Sequence, residues 1–100
     1  MAYDFLVELD NTIAQRIANA DEAASYTAKL ASAGVARVAQ KVGEEGVELA
    51  IAAVADEDGE ALLGEAADLI YHMAVLLQLK GYSLADACVV LNDRHAATKG

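Results

Sequence analysis

Residues 35–55 read VARVAQKVGEEGVELAIAAVA. On a wheel of about 100° per residue, Arg37, Lys41, Glu44, Glu45 and Glu48 fall in one polar stripe. Val35, Val38, Val42 and Leu49 border it on one side, and Val47, Ile51 and Val54 on the other. The remaining arc, Ala39, Gly43, Gly46, Ala50 and Ala53, is small enough for another helix to approach closely. An ordinary surface helix has one polar and one apolar side. Here the acids have apolar residues on both flanks, so the stripe is expected to face something other than open water.

Residues 60–80, EALLGEAADLIYHMAVLLQLK, repeat the arrangement. Glu65, Asp68 and His72 share a face by steps of three and four. Ala61, Val75 and Leu79 continue that face, beside a broad apolar arc of Leu62, Ala66, Leu69, Ile70, Met73, Leu76 and Leu77. Two long helices joined by a short turn at Asp56–Gly59 pack antiparallel, which brings Glu45 and Glu48 to the level of Glu65 and Asp68. Four converging carboxylates repel one another and raise their own pKa values, and a hard divalent cation removes that penalty. Oxygen donors suit Mg²⁺ or Mn²⁺, while the lack of paired Cys or His argues against structural zinc. Either acidic pair alone reads as a solvated surface, and His72 alone reads as a core histidine. Both pairs together, on consecutive helices and inside apolar surroundings, favour a metal site.

Outward from these helices the periodicity stays helical and the chain has no proline. Asp4 to about Ala18 puts Phe5, Leu6, Leu9, Ile13 and Ile17 on one stripe. Residues 21–26 read as a connection, Thr27 as the cap of a short helix and Gly34 as its end. Gly81 stops the second long helix. Ser83 caps a last helix, with Asp86 as its reciprocal partner and Leu84, Ala87, Val90 and Leu91 on its apolar side. The expected fold is therefore all-α, a helical bundle built on two long antiparallel helices, in a single domain over 1–100 with 96–100 as a frayed tail.

The hydrophobic fraction is 56%, high for so small a soluble domain, and charges interrupt every apolar run before it reaches a membrane span of roughly 20 residues. That excess predicts completion by dimerisation, as a homodimer with no membrane partner. A net charge of −9 disfavours nucleic-acid binding. It also requires any phosphate ligand to meet a local cation cluster or a bridging metal. The N-terminus does not read as a signal peptide. The lone Cys88 suits a reducing, cytoplasmic setting and reads as a small core residue.

Three segments together resemble the phosphoribosyl-ATP pyrophosphohydrolase family: Ser25-Tyr26-Thr27-Ala28-Lys29-Leu30, Gln40-Lys41-Val42-Gly43-Glu44-Glu45-x-x-Glu48, and Glu65-Ala66-Ala67-Asp68-Leu69-Ile70-Tyr71-His72. That family belongs to the all-α, MazG-like nucleotide pyrophosphohydrolases, whose Glu-x-x-Glu and later Glu-x-x-Asp hold Mg²⁺. The resemblance covers nearly the whole chain, and Gly46 stands where alanine is expected. It implies Mg²⁺-dependent hydrolysis of phosphoribosyl-ATP, a small-molecule nucleotide, to phosphoribosyl-AMP and pyrophosphate, the second step of histidine biosynthesis. Some relatives carry a fused cyclohydrolase domain, for which 100 residues leave no room. The implied metal ligands are Glu45, Glu48, Glu65 and Asp68. The implied catalytic groups are Glu45 and Glu48 with Glu44, which lies beside the ligands and can orient or deprotonate the water. Lys29, Arg37 and Lys41 are candidates for phosphate contacts. Ser25, Tyr26, Thr27, His72 and Arg94 complete the candidate substrate set.

Three other readings compete. A house-cleaning nucleoside triphosphate pyrophosphohydrolase of the same superfamily shares the metal motif and differs in substrate. A non-enzymatic helical dimerisation module predicts that Glu45, Glu48, Glu65 and Asp68 are all exposed. A di-iron bundle wants Glu-x-x-His, whereas His72 lies four residues after Asp68 and seven after Glu65.

Overall fold

The computed structural model describes residues 2–55 and 58–98. Among them it has five α-helices and no strand: α1 (Ala2–Asn19), α2 (Tyr26–Ala33), α3 (Val35–Val54), α4 (Gly59–Leu79) and α5 (Leu84–Thr98). The all-α expectation holds, and α3 with α4 forms the most extensive contact in the chain. Asp56 and Glu57 of the expected turn lie outside the described residues. Ala96, Ala97 and Thr98, expected in the frayed tail, are helical, and Lys99 and Gly100 are outside the described residues.

Local chemistry sets the boundaries. Ser25, not Thr27, caps α2: its side chain accepts from the Ala28 N–H at 3.1 Å. Both hydroxyls suit a cap, but Thr27 is buried one residue inside the helix. Gly34 separates α2 from α3 at φ 96°, a conformation that favours a residue without Cβ. Asp58 caps α4 by accepting from the Ala61 N–H at 2.9 Å. Gly81, at φ 86°, ends α4 as expected.

The core is small: Ile13, Leu30, Val38, Ala74, Val75 and Leu84, with half-buried side chains such as Leu6, Leu9, Ile17 and Leu76 around it. The buried positions of α3 are Val38, Glu45 and Ala52. They are spaced by seven, two turns apart, so they fall close to one line along the helix that faces its neighbour. The small arc expected to receive a helix is instead open: Ala39, Gly43, Ala50 and Ala53 are exposed, and a Cβ added at Gly43 or Gly46 would meet nothing within 4 Å. Val90 and Leu91 of α5 are likewise exposed, and Cys88 is half-buried.

Two apolar troughs remain on the surface. One, of about 400 Å³, is lined by Val47, Ala50, Ile51, Val54 and Ala55. The other, of about 420 Å³, is lined by Phe5, Leu6, Leu9, Ala67, Ile70 and Tyr71. The radius of gyration is 14.9 Å, against about 13 Å for a well-wrapped chain of this length. By length and composition α4 would suffice to cross a bilayer. Here it packs against all four other described helices, and Glu65, Asp68 and His72 interrupt its apolar surface.

The last helix is tied down by a residue far away in sequence. Asp10 of α1 is buried, and its carboxylate accepts from the N–H groups of Leu84 at 2.9 Å and Ala85 at 3.0 Å. Ser83 and Asp86 add the expected reciprocal cap: the Asp86 N–H donates to Ser83 Oγ at 3.1 Å, and the Ser83 N–H to Asp86 Oδ2 at 3.0 Å. Removing the Asp10 carboxylate leaves two buried or half-buried donors unpaired, at a cost of about 2 kcal/mol. Asp10→Ala is therefore expected to lower the urea midpoint by that equivalent with the helical content retained. A loss below about 0.5 kcal/mol would show that the long-range cap contributes little.

Candidate active site

Antiparallel packing of α3 on α4 brings the acids together. Glu45, Glu65 and Asp68 each offer a carboxylate oxygen within 4.8 Å of the other two. Glu45 is 7% exposed, Glu65 is half-buried, and Asp68 is at the exposed rim. Glu48, one turn along α3 from Glu45, is exposed and interacts with Glu65. This burial disagrees with an ordinary solvated surface, since Glu45 occupies the middle of the α3 seam.

Glu65 carries the electrostatic cost of the cluster. Its pKa is raised above the ordinary 4.5, first by desolvation, then by a hydrogen bond with Glu48, then by the charges of Glu48, Asp68 and Glu45. A hydrogen bond between two carboxyl groups needs a shared proton; with both ionised the contact becomes repulsive. Glu65 Oε2 is buried and has no hydrogen-bond partner. An orphaned, buried oxygen facing further carboxylates is what a divalent cation would satisfy, and the all-oxygen donor set fits Mg²⁺ or Mn²⁺.

His72 backs the cluster. Nδ1 lies 2.8 Å from the Asp68 carbonyl oxygen and 3.2 Å from Glu45 Oε1, and Nε2 lies 3.2 Å from the Tyr26 hydroxyl. Thr27 Oγ1 hydrogen-bonds the Tyr71 hydroxyl, and the Tyr26 and Tyr71 rings stack at 6.2 Å between centroids. Of the Ser25-Tyr26-Thr27 run, Tyr26 is the exposed member: Ser25 Oγ is engaged as a cap and Thr27 is buried.

The cations gather beside the acids. Lys29, Arg37 and Lys41 line a cleft of about 210 Å³ with Tyr26, Leu30 and Ala33. No acid among the described residues lines that cleft, so three cations stand together on a chain of net charge −9. Lys41 lies there rather than pairing with Glu44 or Glu45. Glu44 is exposed and accepts from Gln40 Nε2 at 3.0 Å. Arg94 is exposed on α5, which contacts α1 and α4 but neither α2 nor α3 among the described residues, and it does not line the cleft. Sequence reasoning assigned Gln40 no role beyond its place in the motif, and Asp58 none beyond the turn. Gln40 was legible from its i, i+4 spacing to Glu44, and Asp58 from its place before α4.

Glu65 predicts a pH signature in the metal-free protein. Between pH 4.5 and its raised value, the native state holds a proton that the unfolded state has lost. Stability therefore falls as pH rises through that interval, and the penalty is complete above it. Glu65→Gln removes the penalty. Its melting temperature in chelator is expected to exceed wild type at pH 8, with the gap closing as the pH approaches 4.5. Calorimetry across that range checks this; a gap independent of pH would assign the effect to something other than Glu65 ionisation.

The sequence matches the family model for phosphoribosyl-ATP pyrophosphohydrolase over residues 6–95. It is 52% identical over 91 residues to the histidine biosynthesis bifunctional protein HisIE of Xanthomonas axonopodis pv. citri, covering 91% of this chain and 43% of that protein. It is 53% identical over 93 residues to the HisIE protein of Campylobacter jejuni, covering 93% of this chain and 44% of that one. Against the HisIE protein of Vibrio cholerae it is 50% identical over 91 residues, with 91% and 42% covered. The chain thus spans less than half the length of these curated relatives. With the paired acidic motifs converging as they do, the match over nine-tenths of the sequence places this chain in the phosphoribosyl-ATP pyrophosphohydrolase family.

Proposed function

We propose that this chain hydrolyses phosphoribosyl-ATP to phosphoribosyl-AMP and pyrophosphate, with Mg²⁺ or Mn²⁺ held by Glu45, Glu48, Glu65 and Asp68. The observation that carries this reading is the buried, unpartnered Glu65 Oε2 within the carboxylate cluster, beside a cationic cleft that no described acid lines. When bound, the ion supplies charge neutralisation for the phosphates and the leaving pyrophosphate, and it acidifies a water. Glu44, exposed and steadied by Gln40, accepts the proton of the attacking water. Lys41 faces the triphosphate, one turn before Glu44 and Glu45. Lys29 and Arg37 receive the second anionic end, the phosphoribosyl phosphate that plain ATP lacks. Tyr26 walls the cleft.

The working form in this reading is a homodimer in the cytoplasm. Val54 is 89% exposed and Leu63 69%, and the described residues leave the two apolar surface troughs uncovered. Arg94 then reaches a phosphate from the second copy. Sedimentation is expected to give at least a dimer at micromolar concentration; a stable monomer would remove this part of the reading.

The deciding experiment is incubation with phosphoribosyl-ATP and Mg²⁺, with pyrophosphate detection against a panel of nucleoside triphosphates. Preferred turnover of another triphosphate would favour the house-cleaning alternative. Glu45→Gln, Glu48→Gln and Asp68→Asn are expected to lose about tenfold or more of the Mg²⁺-dependent turnover while remaining folded. Charge-assisted contacts contribute about 1.5–3 kcal/mol, or roughly ten- to hundredfold in affinity. Lys29→Ala and Arg37→Ala should therefore weaken phosphoribosyl-ATP turnover by that factor and leave any activity on ATP much less affected. Lys41→Ala should damage both. Equal losses on the two substrates in the Lys29 and Arg37 variants would mean that these residues do not read the second phosphate.

A further inference from the structure

His72 is 6% exposed, and both of its ring nitrogens are engaged. Nδ1 faces two acceptors, the Asp68 carbonyl oxygen at 2.8 Å and Glu45 Oε1 at 3.2 Å. A nitrogen between two acceptors carries the proton, so in the neutral ring Nε2 holds the lone pair and the Tyr26 hydroxyl donates to it at 3.2 Å. The ring plane is fixed by edge-on packing against Tyr26 (83°, centroids 6.1 Å apart) and Tyr71 (88°, 5.4 Å). One imidazole on α4 thereby touches the buried carboxylate of α3 on one edge and the cleft wall of α2 on the other. Among side chains, neutral imidazole offers a donor and an acceptor on opposite edges of one rigid ring. Every donor and acceptor it has is used inside the protein, which leaves nothing for a substrate to bind.

We infer that His72 is a positioning residue: it fixes Glu45 for the metal and ties Tyr26, the wall of the cationic cleft, to the carboxylate cluster. This rests on the proposed metal-dependent reading of the site. The Nδ1–H, whose shorter contact is the Asp68 carbonyl oxygen at 2.8 Å, also faces Glu45 Oε1 at 3.2 Å, which orients the carboxylate and leaves its other oxygen free to ligate. Without the imidazole, a nearly buried carboxylate would have to reorient or take a proton, and the cation would bind a disordered ligand. Partners of this outer kind are worth about ten- to hundredfold in metal affinity. The Tyr26 arm acts separately. It holds the aromatic wall against α4, so its loss affects how the cleft receives the nucleotide and leaves the metal ligands in place.

The two arms can be cut independently. His72→Phe keeps a flat ring and removes both nitrogens. His72→Asn keeps an amide N–H at the Nδ1 position and lacks the reach to Tyr26. Tyr26→Phe removes only the hydroxyl, at a residue 54% exposed. Mn²⁺ affinity is measured by water-proton relaxation on substrate-free protein, beside kcat, KM for phosphoribosyl-ATP and the melting temperature.

His72→Phe is expected to weaken Mn²⁺ binding about tenfold or more and to raise KM. His72→Asn is expected to recover Mn²⁺ affinity close to wild type with KM still raised. Tyr26→Phe is expected to leave Mn²⁺ affinity unchanged and raise KM about three- to tenfold, the range for one lost neutral hydrogen bond. A merely structural histidine would instead show Mn²⁺ affinity falling in step with melting temperature, with Asn no better than Phe. That pattern, or wild-type Mn²⁺ affinity in folded His72→Phe, overturns the inference while the reading of the site stands. If His72→Phe does not fold, the Asn variant decides by whether it keeps Mn²⁺ affinity while KM rises. If neither His72 variant folds, Tyr26→Phe decides by the same split. Wild-type protein that neither binds Mn²⁺ nor releases pyrophosphate overturns the reading of the site itself, and the inference with it.

Discussion

A carboxylate sits where a core residue belongs. Along α3 the buried positions run Val38, Glu45, Ala52, and the middle one is a glutamate. Burying an unpaired carboxylate costs far more than an apolar side chain would gain there, so the surroundings are organised around it. His72 Nδ1 approaches it to 3.2 Å from α4, Asp68 and Glu65 converge on it, and the Tyr26 and Tyr71 rings pack edge-on against the imidazole. The contact between α3 and α4 is the largest in the chain, and its centre is polar. A seam of this kind gives up stability in return for a fixed constellation of carboxylates, which the proposed cation would complete.

Much of this was legible in the sequence because it is local. The 3.6-residue period marked all five helices, and the glycines at 34 and 81 marked two of their ends. The i, i+3 and i, i+4 steps of Glu45, Glu48, Glu65, Asp68 and His72, joined by a short turn, were enough to bring the acids to one place. What escaped depended on tertiary contact. Ser25 and Thr27 are equivalent as caps until one knows that Thr27 meets Tyr71 in the interior. Asp10 lies 74 residues before the N–H it accepts from at Leu84, and no spacing rule reaches that far. The small arc of α3 was expected to receive another helix, but no described element packs there. Likewise His72 shared the acidic face on the wheel, yet its burial and its two-sided bonding appear only once α2 folds over it.

The surface is the counterpart of so small a core. Val47, Ile51 and Val54 line one open trough, and Phe5 and Ile70 help line another. Monomeric proteins do expose scattered apolar side chains, but contiguous troughs on adjoining helices are another matter. They explain why a radius of gyration of 14.9 Å accompanies a sequence that is 56% hydrophobic. The polar seam contributes to this shortfall, since α3 commits its central buried position to Glu45 and must leave apolar residues on its other faces outside.

Charge is also ordered along α3 in a way that follows from the helix itself. Arg37 and Lys41 precede Glu45 by two turns and one turn, so at about 1.5 Å per residue they lie roughly 12 and 6 Å from it along the axis. The positive cleft and the acidic cluster are thus neighbouring segments of one rigid rod. Lys29 joins the first from α2, and Glu65 and Asp68 join the second from α4. Long-range repulsion from a net charge of −9 is screened within about a Debye length, roughly 8–10 Å. At closer range the local order of charges decides what can bind. A ligand with negative groups at both ends can meet fixed cations at one end and, through a divalent ion, carboxylates at the other. Simple counter-charging of an acidic protein would scatter the lysines and arginines among the acids. Three of the seven, Lys29, Arg37 and Lys41, instead gather in one cleft that no described acid lines, an arrangement that suits the extended polyanion proposed as substrate.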